Sequence, residues 1–235
     1  MTYVGPLITQ VDTGGQIVFL AGVQVGCFEL IGTERVRAIR DLKGKTVAVS
    51  RLGGSDHVFI ASMVAYVGLD PQKQITWARH SQAEAAQLLA LPPMAQELRA
   101  KQIGHMVVNS MRDRPWSQYF CCLLAGNREF VRNHPVATKR ALRAVLKAAD
   151  VCANNPARVA RFLVDNGYAT HYDYALQALK DIPYNKWRGY DPEDTVRFYA
   201  LRLHELGMIQ SSPQKIMAQG TDWRFLQELK RELKG

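Results

Sequence analysis

The sequence predicts an α/β fold arranged as two lobes. Short β-branched runs alternate with amphipathic helical stretches through the middle of the chain, an apolar extended run precedes them, and an almost purely helical block follows. The 235 residues, 47% hydrophobic and 22% charged, suffice for a sizeable core and are too apolar for a disordered chain.

Taken in order, residues 16–31 are apolar with glycines and end in Cys27, Phe28, Glu29, Leu30 and Ile31, which reads as extended structure buried on both faces. A charged connector over 34–45 leads to a strand at 46–50. Gly53, Gly54, Ser55 and Asp56 then open a helix, with Ser55 or Asp56 as the expected N-cap. Its apolar residues Phe59, Ile60, Met63, Val64 and Val67 recur at helical spacing, and Gly68 stands just past its end. Asp70 and Pro71 make a turn. A second strand is expected at 75–78, a helix at 82–90 broken by Pro92 and Pro93, a third strand at 105–109 and a fourth at 118–125. Such alternation implies βαβ units and a mainly parallel sheet.

The rest reads as helical. Residues 135–152 carry a stripe of Leu142, Val145, Ala149 and Cys152, and a helix from Asn155 and Pro156 closes at Gly167. Another runs from Asp191 as N-cap and Pro192 at the first helical position to Gly207, and 221–234 form an amphipathic tail. No Pro- or Ser-rich linker intervenes. A chain that leaves one lobe, builds a second and returns gives this order: 1–40 with 118–235 form lobe 1, 41–117 form lobe 2, and the crossings lie at 34–43 and 115–119.

The net charge is +9, yet no run of five like charges occurs, and the basic residues are spread along helical faces as in Lys139, Arg143 and Lys147. That pattern argues against a nucleic-acid partner. Cys27, Cys121, Cys122 and Cys152 form no CxxC pair and have no His at zinc-finger spacing, so they read as small buried apolar residues, with no metal. No signal-peptide pattern follows Met1, and the apolar run 17–31 is too short for a membrane span and is interrupted by Gln24 and Glu29. Neither GxSxG nor HExxH is present, so no catalytic centre and no cofactor are expected.

The most informative local pattern is the glycine turn before the helix at residue 55. Free backbone N–H groups at such an end attract anions; an ordinary tight turn is the alternative. Asp56 would repel an anion unless its carboxylate is tied up as a cap. His57 either donates to a ligand or faces solvent. Trp187, Arg188, Gly189 and Tyr190 supply aromatic and cationic groups that pack against the helical block in preference to lining a cleft.

Asp41-Leu42-Lys43-Gly44-Lys45-Thr46-Val47-Ala48-Val49, the Gly-Ser helix start and Gly68-Leu69-Asp70-Pro71 together resemble the nitrate/sulfonate/taurine type of ABC-transporter substrate-binding proteins. The segments QYFCCLLAGNREFVRNHPVATKRALRA (118–144) and YDPEDTVRFYALRLHELGMI (190–209) are similar to the same group. The resemblance implies a two-lobe, periplasmic-binding-protein-like (type II) α/β fold with a helical C-terminal block. It also implies a periplasmic or lipid-anchored location and an ABC permease as partner. A small anionic or heteroaromatic ligand would sit in the interlobe cleft against Gly54, Ser55, Asp56 and His57, with Gly26 and Cys27 at the preceding strand end and Tyr119 on the hinge side.

Measured against that family the chain opens late, so lobe 1 is expected to be incomplete at its N-terminus. The Gly-x-Ile-Asp-Ala strand expected after 82–90 has no counterpart. An unpaired sheet edge would then invite a second copy, completing the lobe as a homodimer. The alternative is an enzyme similar to the pyrimidine synthases of the thiamine pathway, which share the fold but carry a cysteine cluster richer than Cys121 and Cys122. A regulator's effector domain is weaker still, since no helix-turn-helix precedes Gly5.

Overall fold

Glycine 26 divides the apolar run in two. It adopts φ +58, a conformation glycine enters freely, and separates β2 (Ile17–Val25) from β3 (Glu29–Gly32), both largely buried. In the computed structural model, which describes residues 1–79 and 88–233, these strands enter different sheets. The first sheet has the order β1-β8-β2, joining Thr2–Tyr3 and Phe120–Asn127 to β2. The second has the order β6-β3-β7, with β6 at Leu88–Ala90 and β7 at His105–Asn109. A third pairs β4 (Thr46–Val49) with β5 (Thr76–Arg79).

The expectation of a mainly parallel sheet is corrected. Among these strand pairings only β4–β5 is parallel; β1–β8, β2–β8, β3–β6 and β3–β7 are antiparallel. The alternation of elements records local crossovers, whereas β2 meets β8 from far along the chain and β3 enters between β6 and β7 from the opposite direction. The helix expected at 82–90 lies outside the described residues up to 87, and its last three residues are the strand β6. Leu30 pairs with Leu89 in that strand, so the strand read as lost is present as a three-residue piece.

Helix α1 (Val4–Asp12) has no counterpart in the sequence reading. Its Gly, Pro and β-branched residues are poor helix formers, and it forms because Val4, Leu7, Ile8 and Val11 are buried together. It packs closely on α2 (Ser55–Tyr66): a Cβ at Gly5 would stand 2.5 Å from Val58 Cγ1. Beside this contact Tyr3, Phe28, Phe59 and Tyr199 form a buried aromatic cluster, with Phe28 stacked on Phe59 at 4.8 Å and Tyr3 edge-on to the other three.

Between β6 and β7 lies α3 (Met94–Ala100). After β8 come α4 (Arg128–Asn133), α5 (Pro135–Asn154), α6 (Pro156–Asp165), α7 (Tyr172–Asp181), α8 (Pro192–Glu205), α9 (Pro213–Gly220) and α10 (Arg224–Glu232). Helix α8 starts as its sequence predicts: the Asp191 carboxylate accepts the Glu193 N–H at 2.9 Å, and Pro192 holds the first position. Trp187 is fully buried and donates to Asp150, which also pairs with Arg188, so that loop packs on the helical block. Among the described residues no helix is long and apolar enough to cross a membrane.

Candidate functional site

Strand β4 delivers the chain to the glycine turn. Gly53 takes φ +74, and Gly54, not Ser55 or Asp56, is the N-cap of α2, with extended dihedrals and no side chain to offer. A Cβ at Gly54 would stand 2.9 Å from the Arg51 carbonyl oxygen and 3.0 Å from Asp56 Oδ1, which favours glycine there. The capping acceptor comes from two residues on. Asp56 Oδ1 accepts the His57 N–H at 2.9 Å and Oδ2 accepts the Ser50 N–H at 2.5 Å. The chain's own carboxylate therefore occupies the positive end of α2, while the Ser55 hydroxyl makes no cap hydrogen bond.

His57 is half-buried. Its Nδ1 accepts the Gly53 N–H at 3.0 Å, which places the proton of the neutral ring on Nε2. The ring meets Trp77 edge-on at 4.5 Å. Burial holds its pKa below the usual 6.5, with Asp56 opposing. A depressed folded-state pKa means that folding favours the neutral ring: this contribution is complete above pH 6.5 and is lost as pH falls through the folded value. An NMR titration of His57 gives a midpoint below 6.5; a midpoint at or above it would show a solvated ring.

Gly26 and Cys27 lie elsewhere. The Cys27 and Phe28 N–H groups both donate to Ser110 Oγ, at 3.1 and 2.9 Å, and Ser110 Oγ donates to the Phe28 carbonyl at 2.8 Å. Cys27 is disulfide-bonded to Cys121. That corrects the reading of the cysteines as small apolar residues: two strand ends 94 residues apart in sequence are brought into bonding distance. Cys122 Sγ lies 4.0 Å from Cys121 Sγ and accepts from Gln24 Nε2 at 3.7 Å, and burial pushes its thiol pKa to about 11. The three sulfurs are clustered. Two of them are joined in the disulfide, which leaves Cys122 as the one thiol of the group.

Tyr119 stacks on Phe198 at 4.1 Å and helps line a groove of about 640 Å³ with Gln118, Asp191, Asp194 and Arg197. The predicted residues thus occupy three places. Among the described residues no hydrogen bond or ring contact joins the α2 turn directly to Cys27 or Tyr119.

A fourth place was not anticipated. Glu29 is fully buried at the start of β3, opposite Ala90 and Asn109, and so lies at the carboxyl ends of β6 and β7. Arg99 Nε of α3 lies 3.4 Å from Glu29 Oε2, while Arg99 Nη2 is committed to Asp181 at the end of α7. Asp181 also accepts from Gln96 Nε2 at 3.2 Å and Gln177 Nε2 at 2.8 Å, and Arg112 Nη2 lies 3.6 Å away. Burial raises the Glu29 pKa, with the Arg99 charge opposing. Among the described residues, neither Glu29 oxygen, nor Gln96 Oε1, nor Asn109 Nδ2 has a hydrogen-bond partner. A carboxylate inside the apolar run 16–31 is the signal that could have found this cluster.

The fold has known relatives. NrtA, the periplasmic nitrate-binding protein from Synechocystis PCC 6803, superposes with TM-score 0.75 at 14% identity, covering 99% of this chain and 74% of NrtA. The alkanesulfonate-binding protein SsuA from Xanthomonas axonopodis pv. citri, bound to MOPS, gives 0.74 at 13% identity, covering 94% of this chain and 78% of SsuA. The Candida albicans CA3427 gene product, described as having the generic periplasmic binding protein fold, gives 0.71 at 11% identity, covering 94% of this chain and 77% of its own. No curated protein sequence matches. The profile of the NMT1/THI5-like family matches residues 3–159, well over half of the 235. The chain has the periplasmic-binding-protein fold and belongs to the NMT1/THI5-like family.

Proposed function

We propose that the chain is the solute-binding component of an ABC importer, working in the periplasm and handing a small anionic or heteroaromatic solute to a membrane permease. The observation that carries this reading is the buried polar cluster around Glu29. It lies at the ends of β6 and β7, where α3 meets α7, with polar atoms that have no partner among the described residues. In this reading 1–40 with 118–235 and 41–117 form the two lobes, except that β3 goes with the second, since its sheet partners are β6 and β7. The Gly54–His57 turn, the Gly26 and Cys27 strand end and Tyr119 remain the proposed margins of the cleft.

Solute capture needs no covalent step. Affinity comes from directed donors and acceptors and from desolvation as lobes close, less the cost of ordering both partners. Nitrate and sulfonates, named for NrtA and SsuA, and pyrimidine-like heteroaromatics set the test panel. At a hundred times its Kd a true solute stabilises the fold by about 2.7 kcal/mol, which at this chain length raises Tm by roughly 5–10 °C. Thermal shift and calorimetry with nitrate, methanesulfonate, taurine and pyrimidine compounds read this directly, and the reading is abandoned if all leave Tm unchanged. Light scattering on the same samples tests the proposed homodimer, for which the two-residue edge strand β1 is the surface to complete; a monomer mass removes it.

A further inference from the structure

We propose that the segment from Arg35 to Lys45 is an adsorption face for anionic lipid headgroups, by which the protein rests on a membrane surface. This contact is separate from the solute cleft.

Arg35, Arg37, Arg40, Lys43 and Lys45 fall within eleven residues, and all are exposed. Elsewhere basic residues are answered by carboxylates, as Lys139 and Arg143 of α5 are by Glu228 and Glu232. Among the described residues none of these five has an ion-pair partner. Against them stand Glu34 and Asp41, and Asp41 Oδ2 is turned back to accept the Arg37 and Ala38 N–H groups, both at 2.9 Å.

The segment is firmly held. Val36, Ile39 and Leu42, spaced by three, are 1%, 8% and 0% exposed. The Gly44 N–H donates to the Gln74 carbonyl at 2.8 Å, and the Lys45 carbonyl accepts the Thr76 N–H at 3.0 Å. With the large apolar side chains turned inward, the outer face is left to the cations.

That composition selects the partner. A protein partner is gripped through a desolvated apolar centre with aromatic anchors, and no large apolar side chain is exposed between 33 and 46. A nucleic acid is read by a helix or ribbon in a groove, or by stacking on aromatic rings. Here there is one short 3-10 turn, Ile39–Leu42, and no aromatic residue. An anionic bilayer asks only for several Lys or Arg near its surface. The face lies at the start of β4 and the glycine turn follows its end, so the two sit at opposite ends of that strand.

Co-sedimentation tests it, using phosphatidylcholine vesicles and vesicles with roughly a third phosphatidylglycerol. The protein is expected to bind the anionic vesicles at about 0.02 M salt, to leave them at about 0.15 M, and to ignore the neutral ones. Each cation is worth about fivefold in partitioning, so an Arg35→Gln, Arg40→Gln, Lys43→Gln variant binds about a hundredfold more weakly. An Arg140→Gln, Lys147→Gln, Arg158→Gln variant removes the same charge from exposed helical positions and stays within about threefold of wild type. Melting temperatures confirm that both variants fold, and Arg40→Gln alone, with its fivefold loss, carries the test if the first does not. Equal losses in the two triple variants reduce the effect to net charge and overturn the inference. Equal binding to both vesicle types, or no binding at low salt, overturns it too. Tighter binding to a single-stranded RNA oligonucleotide than to the anionic vesicles at the same salt overturns it in favour of nucleic acid.

Discussion

Reduction of the Cys27–Cys121 disulfide lowers the melting temperature by about 10 °C or more. The bond closes a loop between residues 94 apart, and constraining a loop of that length in the unfolded chain is worth about 4–5 kcal/mol. For a chain of this size each kcal/mol moves Tm by roughly 2–4 °C. The effect is also structural, since Cys27 follows the Gly26 turn into the second sheet and Cys121 lies on β8 of the first, so the bond ties the two sheets at their crossing. Scanning calorimetry with and without dithiothreitol measures the drop. A Cys27→Ser, Cys121→Ser double variant shows the lower Tm at once and no further response to reductant. Cys122→Ser retains the full drop, because that thiol, pushed up to about 11, is hardly ionised near neutrality and does not compete for the bond. A shift below about 2 °C in the wild type would mean that the loop is not closed, or that its closure does not stabilise.

The parts of this fold that could be read from sequence are those encoded locally. Helix α2 follows from the spacing of Phe59, Ile60, Met63 and Val64, β4 from its β-branched run, and the start of α8 from Asp191 and Pro192. What escaped depends on partners far along the chain. Helix α1 exists through burial against α2 and against propensity. The antiparallel pairing of β2 with β8 and the Cys27–Cys121 bond each join residues about a hundred apart, and no local pattern announces them. The candidate site divides along the same line. The glycine turn was legible as an anion-tolerant helix end, but its occupancy by Asp56 depends on Ser50 reaching the same carboxylate. Glu29 stood in plain view as a charge inside an apolar run, a pattern that marks either a misread strand or a buried functional group. Only its lack of hydrogen-bond partners separates the two.

Replacing Gly26 with alanine destabilises the protein by about 3 kcal/mol or more, by two routes. The positive φ of +58 costs a non-glycine residue about 1–2 kcal/mol. A Cβ there would also stand 2.6 Å from Met111 Cα, Met111 N and the Ser110 carbonyl oxygen, all backbone atoms. Relief by shifting that backbone is blocked, because the Ser110 N–H donates to the Phe28 carbonyl at 3.0 Å and Ser110 Oγ serves both the Cys27 and Phe28 amides. Gly53→Ala is the matched control: φ is +74, yet nothing lies within 4 Å of its Cβ, so it pays the conformational cost alone, about 1–2 kcal/mol. Urea unfolding of the two variants should therefore give clearly separated midpoints, with Gly26→Ala the lower. The comparison also decides what Gly26 is for. A glycine that served only to admit a ligand would give a variant of normal stability and weakened binding, and that result would move Gly26 from the packing of the crossing segment to the binding site.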